Sequence, residues 1–108
     1  MQDDSVDQRY ATVVRKLLKE RNVTQSEKKG FGSSALWTKS KIFALLSSRR
    51  EFVVKLPRRR VEELISSGEG KAFDTGSGRL MKEWFVTNSK DEKAWLSLAK
   101  EAMEFASS

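Results

Sequence analysis

The chain has 108 residues, 38% hydrophobic and 33% charged, with a formal net charge of +6. A chain of this length hides roughly two-thirds of its unfolded surface when it folds alone, which is enough for one core and excludes a collagen-like or wholly disordered chain. Its longest apolar run, Ile42-Phe43-Ala44-Leu45-Leu46, falls far short of the about 20 residues that cross a bilayer. The acidic, polar start Met1-Gln2-Asp3-Asp4-Ser5 predicts no signal peptide. Without cysteine there is no disulfide framework and no thiolate metal site. Without histidine the commonest general base and transition-metal ligand are missing. These absences predict a cytoplasmic, non-enzymatic domain with no cofactor, no metal and no membrane partner.

The charge is uneven. Residues 1–30 carry +2, residues 31–60 carry +7 and residues 61–108 carry −3. The positive centre comprises Arg49, Arg50, Lys55, Arg58, Arg59 and Arg60. Such a field attracts phosphates or acidic partners, or simply keeps a small protein soluble.

A first helix is predicted over residues 5–22. Ser5 and Gln8 have the spacing of a capping box. Val6, Tyr10, Val13, Val14, Leu17 and Leu18 make one apolar stripe, and Asn22 is a plausible stop. Residues 1–4 read as a tail and residues 22–33 as a loop, with Gly30-Phe31-Gly32 as a bend.

The period then changes to two. Strands are predicted over 35–38, 41–47 and 51–56, with turns at Lys39-Ser40 and Ser48-Arg49-Arg50. Alternation puts Phe52, Val54 and Leu56 on the core side of an antiparallel sheet with one covered face. Pro57 opens a second helix, with Val61, Leu64 and Ile65 as its apolar side and Gly68 as its end. Three arginines in its first turn oppose the helix dipole. Either they serve a ligand, or Glu51, Glu62 and Glu63 neutralise them.

A short strand around Ala72-Phe73 and a longer one over 82–87 follow, linked by a turn at Gly76-Ser77-Gly78. In the longer strand Trp84 and Val86 are assigned inward and Glu83 and Phe85 outward. Ser89 and Glu92 form a second capping box. It opens a final helix whose buried stripe is Trp95, Leu98, Ala99, Ala102, Phe105 and Ala106. The predicted class is α+β, a two-layer α-β(3)-α-β(2)-α domain with an antiparallel sheet over residues 1–108.

Catalytic motifs are weak. Gly76-Ser77-Gly78 leads into a strand, whereas a phosphate loop leads into a helix. The pairs Glu62/Glu63, Asp91/Glu92 and Glu101/Glu104 lie at helix starts or on a solvent face, without the burial that separates carboxylate pKa values. On the outward phase, Phe43, Leu45, Val53 and Phe85 form an apolar patch rimmed by Lys41, Lys55 and Glu83, either covered by another element or open as a partner surface.

Phe31-Gly32, Leu36, Lys41-Ile42-Phe43-Ala44-Leu45 and Phe52-Val53-Val54-Lys55-Leu56 resemble the opening of TfoX/Sxy N-terminal domains. The second half, Val61-Glu62-Glu63-Leu64 through Gly78-Arg79-Leu80-Met81-Lys82-Glu83-Trp84-Phe85-Val86, is similar to the related MmcQ/YjbR-like proteins. Trp95 to Ala102 fits both groups. The resemblance spans roughly residues 5–106 and implies the secretion-chaperone-like α+β architecture. TfoX members are linked to regulation of competence and YjbR-like members to DNA binding. Full-length TfoX proteins carry a further C-terminal helical domain, which these residues lack. The expected function is non-specific nucleic-acid binding through Arg49, Arg50, Lys55, Arg58, Arg59 and Arg60. The alternative partner is a protein or a second copy, docking on Phe43, Leu45, Val53 and Phe85.

Overall fold

A computed structural model describes residues 4–20, 22–25, 35–39, 41–47, 49–74 and 80–107, and the side chains of all of these except Asp4, Ser5, Asp7 and Leu80. The elements in order are α1 (Asp4–Leu17), β1 (Val23–Gln25), β2 (Leu36–Thr38), β3 (Lys41–Leu46), β4 (Phe52–Lys55), α2 (Arg58–Ser66), β5 (Gly70–Asp74), β6 (Leu80–Thr87) and α3 (Glu92–Ser107). The class is α+β, with three helices and a six-stranded antiparallel sheet in the order β1-β2-β3-β4-β6-β5. None of the described helices is long and apolar enough to cross a membrane.

Strand β6 begins at Leu80, two residues before its predicted start, and the first 25 residues differ further from the sequence reading. Helix α1 takes in Asp4 and stops at Leu17, short of Asn22, so Leu18 is left 42% exposed. Val23–Gln25, expected within a loop over 22–33, pairs with β2 and extends the sheet by one strand. Asn22, at φ 72°, makes the reversal between helix and strand. Gly30-Phe31-Gly32 and Gly76-Ser77-Gly78 lie outside the described residues, as does the side chain of Ser5.

Helix α2 ends as its sequence requires. Gly68 takes φ 76°, its N–H bonds the Ile65 carbonyl, and the Glu69 N–H bonds the Leu64 carbonyl. Those two bonds form a Schellman motif, which glycine closes without a Cβ clash. At the start of α3 the cap is Asp91, whose Oδ1 accepts from the Lys93 N–H at 3.1 Å. Ser89 sits two residues earlier and accepts from the Asp91 N–H. The Ser89/Glu92 capping box is thus replaced by an Asp cap two residues on.

All three helices contribute to one core on one face of the sheet. Tyr10, Val13 and Leu17 from α1, Val61 and Leu64 from α2, and Trp95, Ala99 and Ala102 from α3 meet Phe43, Ala44, Phe52, Val54, Leu56 and Phe85. The other face has a smaller cluster: Ala35, Leu45, Val53, Phe73 and Val86, with Trp37, Ile42, Met81 and Trp84 partly buried around it.

This distribution corrects the assigned faces of β6. Phe85 is fully buried on the helix side, beside Val54. Trp84 and Val86, expected inward, pair with Lys55 and Val53 on the opposite face. Three consecutive apolar residues leave the phase of a strand undetermined until its partner fixes the register. Phe43 also moves to the helix side, through a β-bulge. Leu36 pairs with Ala44 while Trp37 pairs with Ile42, so Phe43 is the extra residue on β3. The bulge lets Phe43 and Ala44 both face the helices, each completely buried.

Candidate functional site

The residues assigned to a single basic patch are separated by the fold. Arg49 and Arg50 lie in the β3–β4 hairpin, and Arg58, Arg59 and Arg60 lie beyond the other end of β4. At about 3.3 Å per residue, the four residues of β4 put roughly 13 Å between the two groups. Lys55 is on the face away from the helices, its ammonium 5.8 Å from the centre of the Trp84 ring.

Carboxylates pair with Arg49, Arg58 and Arg60 among these cations. Arg58 faces Glu62 at 3.4 Å, one helical turn away. Arg60 reaches across to α3, where Glu101 accepts from its Nε at 2.7 Å, and it also meets Glu63 at 3.4 Å. The hydrogen bond that Arg60 donates to Glu101 raises the Arg60 pKa above its usual value, opposed by partial burial. Arg49 pairs with Glu51 at 3.5 Å, donates to the Asp74 carbonyl and lies 5.9 Å from the Phe73 ring. Arg59 is exposed. The neutralising carboxylates are thus Glu51, Glu62 and Glu63, joined by Glu101.

Of the expected partner surface, Leu45 and Val53 lie on the face away from the helices, but are 3% and 0% exposed. Phe43 and Phe85 are in the main core. The half-buried apolar groups on that face are instead Trp37, Ile42, Met81 and Trp84.

Arg50 joins other cations at its own end of β4, away from Arg58, Arg59 and Arg60. There the starts of β4 and β5 and the end of β6 meet the beginnings of α1 and α3, around a cleft of about 430 Å³. Arg9, Arg50, Lys71 and Lys90 line it, against one carboxylate among the described lining residues, Glu51. Glu51 is already engaged by Arg49 at 3.5 Å and by Lys71 at 3.4 Å. Among the described lining residues, cations therefore outnumber carboxylates. Its volume falls within the range usual for small-ligand sites, about 300–1,000 Å³.

An aromatic pair backs the cleft. The Phe52 and Trp95 rings stack with centroids 4.4 Å apart and planes within 7° of parallel. The Arg9 guanidinium carbon lies 4.9 Å from the centre of the Trp95 ring, within cation–π range. Trp95 Nε1 donates to the Ser89 carbonyl at 2.7 Å, which ties the cleft wall at 87–90 to α3. Gly70 lets β5 and β6 approach here, since a Cβ at this position would overlap the Val86 carbonyl and the Phe85 ring.

Arg50 holds the least favourable backbone of the site. The hairpin closes by an Arg50 N–H bond to the Ser47 carbonyl at 2.9 Å and a Ser47 N–H bond to the Glu51 carbonyl at 2.8 Å. Ser47 Oγ accepts from the Arg49 and Glu51 amides. This leaves Arg50 at φ 67°, a left-handed position that glycine fills more cheaply. A residue strained in this way beside a cleft marks a candidate functional position.

Arg9, Lys71 and Lys90 escaped the sequence reading because they are isolated in sequence and only the fold brings them together. The one local signal was the Arg49-Arg50 pair in a turn where Asn-Gly would be ordinary. No protein-family model, curated protein or solved structure matches the chain.

Proposed function

We propose that the protein is a binding module for nucleic acid, held through its phosphate backbone with little base reading, and that it is not an enzyme. The observation that carries this reading is the cleft, which gathers Arg9, Arg50, Lys71 and Lys90 from four separate parts of the chain, with Glu51 as the one carboxylate among its described lining residues. Phosphate contact by lysine and arginine supplies affinity and positioning without sequence information. The net charge of +6 favours approach to a polyanion.

The proposal moves the contact set from Arg58 and Arg60, which are paired with glutamates, to the cleft. It keeps Arg50 from the sequence reading. A TfoX/YjbR-like ancestry and a cytoplasmic address belong to the same proposal, supported by the sequence motifs and by the absence of cysteine. Titration against duplex and single-stranded DNA at two salt concentrations tests it. Binding that weakens steeply with salt is expected, and no binding at low salt would exclude it.

A second reading is favoured by Trp37 and Trp84, only partly buried on the face away from the helices. Tryptophan is enriched at protein interfaces, where one part of the ring stays wet. In this reading the face docks a protein or a second copy, and a mass that rises with concentration is its test.

A further inference from the structure

We infer that the cleft takes an unpaired nucleotide, so that the protein prefers single strands or strand ends to an intact duplex. The inference rests on the nucleic-acid reading above and adds the class of ligand. Its starting point is that two kinds of group line one cavity: phosphate-seeking cations and a planar stack.

Lys71, Lys90 and Arg50 suit any phosphate. Arg9 and Trp95 ask for more. Both line the cleft, and the guanidinium already covers the indole at 4.9 Å. The indole is held from behind by Phe52, at 4.4 Å and nearly parallel. It is also fixed in its own plane by the bond from Nε1 to the Ser89 carbonyl. The ring is only 3% exposed, so the plane it presents to a base is the Arg9 guanidinium that covers it, backed by Trp95 and Phe52. Unpaired bases stack on aromatic rings and on arginine guanidinium planes alike. A base entering here either lies on the Arg9 guanidinium or displaces it from Trp95.

A duplex cannot use this arrangement. Its base faces are stacked on each other, and it offers the protein phosphates, sugars and groove edges. The cleft, walled by α1 on one side and by residues 87–90 on the other, is concave and about 430 Å³ in volume. A duplex backbone can reach cations at a rim, but it has no free π-face to bring inside. A single strand brings phosphate and base together.

The test is fluorescence anisotropy of a short labelled oligothymidylate and of a duplex of equal length, at matched low salt. Emission is followed alongside in a Trp37→Phe, Trp84→Phe variant, which leaves Trp95 as the sole tryptophan. The expected result is at least about tenfold tighter binding of the single strand, the size of one stacked base. It comes with a change in Trp95 emission on binding. Arg9→Met should weaken the single strand several-fold more than the duplex, because it removes a stacking plane as well as a cleft cation. Equal affinity for both probes, with unchanged Trp95 emission, overturns the inference and leaves backbone binding standing. Failure to bind either probe overturns both.

Discussion

Phe52, at the start of β4, and Trp95, in the first turn of α3, stack face to face at 4.4 Å, both at most 3% exposed. The contact joins the sheet to the last helix and forms the back of the cationic cleft. Core and site are therefore the same object at this point.

Trp95→Ala should cost about 3–5 kcal/mol in urea unfolding, as for other large buried aromatics. Trp95→Phe should cost less, because it keeps the stack and loses the bond to the Ser89 carbonyl, worth about 1 kcal/mol. Comparable losses for the two variants would mean that the indole N–H, not the ring packing, dominates.

Arg50→Gly separates stability from binding. Relieving a left-handed arginine should raise the unfolding free energy by about 1 kcal/mol. The same change removes a cleft cation and should weaken nucleic-acid binding. A less stable variant would show that contacts of the Arg50 side chain outweigh its backbone strain.

Gly70→Ala should be destabilising by about 1–3 kcal/mol or more, since the added methyl meets a backbone oxygen as well as a ring. A strand carbonyl cannot swing aside as a flexible side chain does. Thermal unfolding of the variant checks this, and an unchanged midpoint would contradict the tight β5–β6 approach.

The Arg60–Glu101 pair ties α2 to α3 at a half-exposed surface. Glu101→Gln should cost about 1 kcal/mol or less, because solvent screens the pair. The guanidinium pKa is raised in the folded state, first by its bond to Glu101. On the alkaline side its contribution is therefore lost only above the ordinary guanidinium range. The difference between wild type and variant should stay flat across the neutral and alkaline range in pH-dependent unfolding.

The α+β class was legible because helix periods, strand alternation and Gly68 each carry a local signal. Leu17, Val61, Ala99 and Ala102 are buried as their spacing requires. The side of Phe85 was not legible. In Trp84-Phe85-Val86 every residue is apolar, and the pairings Lys55–Trp84 and Val54–Phe85 decide the matter. Phe43 was hidden for a related reason, since a bulge shifts the alternation by one residue without any glycine or proline to announce it. At the candidate site, only Arg50 was visible in advance. Runs of arginine draw the eye, yet Arg58 and Arg60 spend their charge on nearby glutamates. Arg9, Lys71 and Lys90 become neighbours only through tertiary contacts.

The salt dependence of DNA binding in two matched variants tests the central claim most directly. The wild type should show a log–log slope of about −3 on duplex DNA, for three to four phosphate contacts. Replacing Lys71 and Lys90 with Ser should flatten the slope by about two units and weaken all sequences alike. Replacing Arg58 and Arg59 with Ser should leave it nearly unchanged. The reverse pattern, with the α2 variant flattened and the cleft variant unaffected, would contradict the assignment of the cleft as the binding site.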